Sequence, residues 1–186
     1  MKNQSNFLAY IFLFLTVTFW AGNFVVGKFA SIYEVPPFSL NFYRWFFAWV
    51  ILAPFTLPEI IKKKDYIINN YKLFIILGVT SITIFNSIVY YSLNFTQVIS
   101  GVLMISTIPV MIMFFSSIFK IEKTNIFQII GVILSFLGVI IIITKANFEI
   151  LKNLNFNKGD ITMVVAMFSW ALYSTLLKRQ TYEISQ

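Results

Sequence analysis

The sequence contains no cysteine and no histidine. The first absence excludes a disulfide framework, a thiolate nucleophile and any cysteine-based zinc or iron–sulfur site. The second removes the commonest metal ligand and the usual general acid–base. Acid is nearly as scarce: seven carboxylates in 186 residues, scattered over Glu34, Glu59, Asp65, Glu122, Glu149, Asp160 and Glu183. The chain therefore does not read as an enzyme, and no catalytic residue, metal site or cofactor is expected. Charge of either sign is only 11%, against roughly 25% in ordinary soluble domains, while 59% of residues are hydrophobic and the mean hydropathy is +0.82. Such a chain cannot cover a water-facing surface. Its 22 Phe, nine Tyr and four Trp equally exclude a disordered tail. The composition predicts an all-α integral membrane protein whose main partner is the lipid bilayer.

Charge-free stretches locate the spans. A hydrocarbon core about 30 Å thick takes roughly 17–25 helical residues. No charge occurs from Asn3 to Gly27, which predicts a first helix over Phe7–Phe29. A signal peptide is the competing reading, but the run is too long for a typical h-region and lacks a convincing cleavage site. Between Glu34 and Glu59 the only charge is Arg44, giving a second helix over Pro37–Leu57. Leu73 to Phe119 is uncharged over 47 residues, about 70 Å as one helix, so it must fold back. Asn94-Phe95-Thr96-Gln97 is its most polar short segment and divides it into Tyr71–Leu93 and Val98–Phe119. Ile126–Thr144 and Ile161–Leu177 complete six transmembrane helices. Runs of this length are helices rather than barrel strands, because only closed backbone hydrogen bonding survives in lipid.

Basic residues orient the spans. Lys2, Lys62, Lys63, Lys64, Lys72, Lys120, Lys123, Lys178 and Arg179 fall on one side, and Lys28, Lys145, Lys152 and Lys158 on the other. Nine against four predicts a multi-pass protein of the plasma membrane, a bacterial inner membrane, with both termini cytoplasmic. The net charge of +7 then reflects topology and contact with anionic headgroups, and no nucleic-acid partner is expected.

A weak internal repeat is also present. Phe19-Trp20-Ala21-Gly22-Asn23 precedes Lys28, and Ser169-Trp170-Ala171-Leu172-Tyr173 precedes Lys178, at a constant offset of 150. Ile11 and Ile161 share that register. The copies stand five helices apart, an odd offset, so the sixth helix runs opposite to the first, the arrangement of inverted-topology transporters with a site near the membrane midplane.

At this point the sequence resembles the EamA family of the drug/metabolite transporter superfamily. The resemblance rests on Phe19-Trp20-Ala21-Gly22-Asn23-Phe24, on Pro37 followed by Arg44, and on Leu93-Asn94-Phe95-Thr96. Pro109 in the fourth helix, Glu122 after it, Gly131 and Gly138 in the fifth, and Gly159-Asp160 leading to Trp170-Ala171 continue the pattern. It implies a normally ten-helix fold of two inverted five-helix repeats, and export or exchange of small metabolites such as amino acids by alternating access. The expected division is a first repeat at 1–145, an outer loop at 146–160 and the first helix of a truncated second repeat at 161–186. A missing second half or a homodimer would complete the pathway. A non-transporting membrane subunit or inactive truncated product is the rival from another class.

The expected substrate pathway comprises Trp20, Asn23, Arg44, Thr83, Asn86, Tyr90, Met104, Thr107, Trp170 and Tyr173. Arg44 lies about 10 Å deep, where a charge is costly and marks a functional hypothesis. Its fork suits a carboxylate; it could instead snorkel outward or pair with Glu34. Thr16, Trp20, Asn23 and Gly27 share one helical face, and Asn23 needs a hydrogen-bond partner away from lipid. Thr83, Asn86, Ser87, Tyr90 and Asn94 form a polar stripe on the third helix. Ser100, Met104, Thr107 and Met111 align on the fourth, where Pro109 removes the donor for the Ile105 carbonyl and predicts a kink. Gly131, Ser135 and Gly138 form a small-residue packing face on the fifth helix. No acid lies inside a span, which disfavours proton antiport through an intramembrane carboxylate.

Overall fold

A computed structural model describes residues 2–121, 125–144, 147, 149, 152 and 157–179. Glu122, Lys123, Lys145, Glu183 and most of the expected outer loop at 146–160 lie outside the described residues. The described residues are helical, in the order α1 (Lys2–Ile32), α2 (Pro37–Lys62), the short α3 (Lys64–Asn69), α4 (Tyr71–Ser92), α5 (Val98–Ile118), α6 (Ile126–Thr144) and α7 (Lys158–Arg179). Five of these are long and apolar enough to cross a membrane, and α6, 19 residues long, adds a sixth apolar helix. The protein is an all-helical multi-pass membrane protein.

The expected spans and the helices agree in number and order, with differences at the ends. α1 and α2 run beyond the hydrocarbon thickness. α2 passes through Pro54 and Pro58 to Lys62, although these prolines lack the amides that would bond to the Val50 and Pro54 carbonyls. The lysine-rich stretch between the second and third expected helices is the junction with α3, whose short helix begins at Lys64. The chain reverses between α4 and α5 at Leu93–Gln97, where the polar segment placed it.

α7 is the hub. It packs against both halves of α5 and along α4, and 39% of its most apolar stretch is buried, against 6% for α1 and for α2. Met163, Ala166, Met167 and Ala171 have no exposed surface and form the centre of the core with Val89, Tyr90 and Leu93. α6 stands at the edge. Nothing lies within 4 Å of where a Cβ would sit on Gly131 or Gly138, and Ser135 is exposed. The small-residue face expected to pack a helix is therefore open among the described residues, because no neighbour reaches it.

Two backbone irregularities shape the interior. Val79–Asn86 of α4 is a π-helix, with wider i→i+5 turns that recur at functional sites. Three successive carbonyls in it accept side-chain hydrogen bonds. Ser169 of α7 donates to Thr80 O (2.8 Å), Asn86 to Ser81 O (2.8 Å) and Asn41 of α2 to Ile82 O (3.0 Å). Irregular backbone at membrane depth is tolerated where neighbouring side chains satisfy it in this way. In α5 the helix breaks at Ser106–Thr107, just before Pro109. There Ser106 N–H and Thr107 N–H turn back to Leu103 O and Met104 O at 3.1 and 3.0 Å.

One end of the bundle is tied by polar contacts. Lys28 Nζ donates to Leu93 O (2.7 Å) and Thr96 O (3.0 Å), so its charge sits at the C-terminal end of α4, where the helix dipole favours a cation. The Thr96 hydroxyl donates to Asp160, which also accepts from Asn157 N–H at 2.9 Å. Asn157 Oδ1 in turn accepts from Gly159 N–H at 2.7 Å and Asp160 N–H at 3.2 Å, a reciprocal capping box that starts α7. Asp160→Ala removes the carboxylate half of the capping box and the link to the α4–α5 turn. We expect it to cost about 1–2 kcal/mol, read as a lower thermal midpoint in detergent. An unchanged midpoint would mean that the cap does not hold α7.

Candidate functional site: a cavity around Arg44

Midway along the spans, α1, α2, α4, α5 and α7 enclose a cavity of about 320 Å³. This is at the lower end of the roughly 300–1,000 Å³ typical of small-molecule sites. α1 contributes Phe19, Trp20, Asn23 and Phe24, and α2 contributes Arg44 and Trp45. The π-helix supplies Ser81, Ile82, Phe85 and Asn86, α5 supplies Ile105 and Ile108, and α7 supplies Trp170 and Tyr173. The wall thus has a polar corner and an aromatic body.

The polar corner is a chain of hydrogen bonds anchored by Arg44. Its Nη1 donates to Asn86 Oδ1 at 3.2 Å and to the Tyr90 hydroxyl, and that hydroxyl donates to Asn23 Oδ1 at 2.6 Å. The guanidinium also lies 5.5 Å from the Trp45 ring centre and 5.9 Å from that of Tyr90. Among the described residues Nε and Nη2 have no protein acceptor, and Arg44 makes no ion pair with Glu34 or any other acid. Arg44 remains exposed in the cavity while Tyr90 beneath it is 2% exposed. Gly27 makes that packing possible: a Cβ there would come within 2.8 Å of Tyr90 Cδ1 and 2.9 Å of Leu93 Cδ1.

The aromatic body centres on Trp170. Its ring meets Trp20 edge-on at 5.4 Å, Phe85 at 4.5 Å and Tyr173 at 5.1 Å. Trp20 and Trp170 are the pair related by the offset of 150, and Asn23 and Tyr173, also related by it, line the same cavity.

Of the residues expected in a pathway, Trp20, Asn23, Arg44, Asn86, Trp170 and Tyr173 line this cavity, and Tyr90 underlies it. Three stand elsewhere. The π turn rotates Thr83 into a separate cleft between α2 and α4. Thr107 spends its hydroxyl on Met104 O at 2.6 Å, and Met104 packs against the core. The break in α5 turns Ile105 and Ile108 to the cavity instead. Sequence reasoning did not anticipate Ser81, Phe85 and Trp45. A 3.6-residue period cannot reveal a π segment, and the only signal for Trp45 was its position beside Arg44.

A multi-pass helical bundle with a small aromatic-walled cavity and one cation among its lining residues has the form of a membrane transporter. Residues 7–144 match the EamA-like transporter family, which is more than half of the chain. The chain belongs to that family. It is 28% identical over 170 residues to the uncharacterized transporter YyaM of Bacillus subtilis, covering 91% of this chain and 55% of that protein. An uncharacterized transporter of Archaeoglobus fulgidus is 26% identical over 174 residues, covering 92% of this chain and 57% of its own. YrdR of Bacillus subtilis, another uncharacterized transporter, is 23% identical over 179 residues, with 94% and 55% covered. The chain therefore spans little more than half the length of these relatives. No solved structure matches it.

Proposed function

We propose that the chain forms part of an alternating-access exporter or exchanger of small amphipathic metabolites that carry a negatively charged group, a class that includes amino acids. The observation that carries this reading is the Arg44 guanidinium, held on one edge by Asn86 and Tyr90 and open to the cavity on the other. A fork with free donors suits a carboxylate. Trp20 and Trp170 give the cavity an apolar wall for the rest of the ligand. The contact between two residues 150 apart supports an inverted repeat, since positions related by a two-fold axis meet where they lie on it. The first repeat would occupy 1–145 and α7 would open the second, with the remaining wall supplied by a second half or a second copy. The distribution of lysine and arginine supports a bacterial inner-membrane location with both termini in the cytoplasm.

Cysteine substitution tests the cavity against the chain's cysteine-free background. Trp20 is 48% exposed and Tyr90 is 2% exposed. A charged, membrane-impermeant thiol reagent should label Trp20→Cys rapidly in membrane vesicles and Tyr90→Cys at least tenfold more slowly. Equal labelling, or none at Trp20, would mean that water does not reach this cavity. Efflux from preloaded cells expressing the chain, alone and with its natural remaining sequence if one exists, tests transport itself.

A further inference from the structure

The hydrogen bonds around Arg44 run in one direction, and that direction fixes what Asn23 offers to the cavity. This rests on the reading that the cavity is the transport site. The relay starts in the π-helix, where Asn86 Nδ2 donates to Ser81 O at 2.8 Å. A carbonyl oxygen only accepts, so the Asn86 carboxamide is oriented and its Oδ1 faces Arg44 at 3.2 Å. A guanidinium only donates, so the Tyr90 oxygen, also bonded to Arg44 Nη1, is an acceptor there. Its single proton is left for Asn23 Oδ1 at 2.6 Å. That length belongs to an O–H···O bond rather than an N–H···O bond, and Tyr90, 2% exposed, is too buried to turn its proton to bulk water.

Asn23 therefore spends its oxygen on Tyr90 and keeps its Nδ2 donors. Among the described residues that nitrogen meets no acceptor, yet it is reachable, because Asn23 is half-buried and lines the cavity. Asn23 and Arg44 bond to the same Tyr90 oxygen, so the two side chains meet at one corner of the wall. Their orientation is set by bonds among α1, α2 and α4, and a further wall would face the same donors.

We propose that Asn23 is a second ligand-binding residue, whose Nδ2 donates to the carboxylate that Arg44 holds. A carboxylate has about four lone-pair sites on its two oxygens. The guanidinium fork occupies one on each oxygen, and Asn23 takes one of those left. Tyr90 is the positioning residue: its hydroxyl, held between Arg44 and Asn23, keeps the carboxamide donor turned to the ligand.

An acid and its amide on one skeleton test this. 4-Methylvalerate and 4-methylvaleramide would be titrated, by ligand-observed NMR, into the full 186-residue chain in lipid nanodiscs. The amide has one oxygen for the fork, and its nitrogen only donates, so it has nothing to give Asn23. Asn23→Ala should weaken the acid about tenfold and leave the amide within about twofold of the parent. Tyr90→Phe keeps the ring against Gly27 and removes only the hydroxyl. It should weaken the acid several-fold and spare the amide in the same way. Equal losses for acid and amide would mean that Asn23 only braces Arg44, and unchanged binding of the acid would take Asn23 out of the site. Either result overturns the proposal, as does failure of either probe to bind the folded parent. If Asn23→Ala does not fold, Tyr90→Phe carries the same comparison. Flux in proteoliposomes separates the two readings. Acid flux indifferent to Asn23→Ala overturns the role of Asn23 and leaves the transporter standing. The acid-selective loss of binding without flux supports Asn23 and overturns transport by this chain alone.

Discussion

Replacing Arg44 with alanine is expected to slow transport of carboxylate-bearing substrates by about tenfold to a hundredfold while membrane insertion stays intact. The magnitude follows from losing charge-assisted hydrogen bonds, each about 1.5–3 kcal/mol, at about 1.4 kcal/mol per factor of ten. The loss acts twice. It removes the cation that the ligand meets, and it leaves Asn86 Oδ1 and the Tyr90 hydroxyl without the donor that orders them. Arg44→Lys should recover only part of the activity, since an ammonium is a point donor that cannot present two parallel N–H groups. Insertion should not suffer, because removing a charge from a span lowers the cost of placing it in lipid. The measurement is efflux of a labelled carboxylate, normalised to protein in the membrane. Transport by Arg44→Ala equal to that of the parent would take Arg44 out of the site.

The second large effect is structural. Gly159→Ala is expected to destabilise the bundle by about 1–3 kcal/mol. The new Cβ would stand 2.7 Å from Ser92 O, 2.8 Å from Phe95 Cβ and 2.9 Å from Asn157 Oδ1. Ser92 O is backbone and cannot swing aside, so α7 would have to move away from the α4–α5 turn. That movement would strain the Thr96–Asp160 bond and the Ser92–Thr162 hydroxyl pair at 2.7 Å. At roughly 2–4 °C per kcal/mol for a protein of this size, the thermal midpoint should fall by several degrees. Gly131→Ala and Gly138→Ala are the controls. Both lie in α6 with open space around them, so alanine should be neutral or gain up to about 1 kcal/mol of helix propensity. If Gly159→Ala melts with the parent, the close approach of α7 to the α4–α5 turn is wrong.

These two predictions draw on different levels of information. Arg44 was legible in the sequence because it is a lone charge between Glu34 and Glu59, and lipid makes such a charge conspicuous. What it does there was not legible. Snorkelling, pairing with Glu34 and ligand binding were all compatible with its position, and only the tertiary structure turns its guanidinium to Asn86 and Tyr90 and away from Glu34. Gly159 is the converse. Nothing in the sequence marks it as more constrained than Gly131, since the difference lies in which backbone passes beside each one.

The polar stripe of α4 shows the same division within one helix. Asn86, Ser87 and Tyr90 of that stripe are buried, whereas a 3.6-residue period put the exposed Thr83 with them. The π-helix at Val79–Asn86 separates them, sending Thr83 to the cleft beside α2 and bringing Ser81 and Phe85 to the cavity. The bonds from Ser169, Asn86 and Asn41 to its carbonyls come from three helices. No local rule could have found a distortion whose support is distributed in that way.

By itself the sequence determined the solvent, the number and order of the spans and the reversal after Leu93. These follow from hydrophobicity, charge and helix rise, which are properties of short stretches read one at a time. Only the tertiary structure decided that α7 occupies the centre, that Trp20 touches Trp170, and that Arg44 keeps one edge free. Those facts depend on residues far apart in the chain meeting at one place. In lipid, where apolar faces gain little by burial against each other, such meetings are set by close packing and by the partners that each polar group must find.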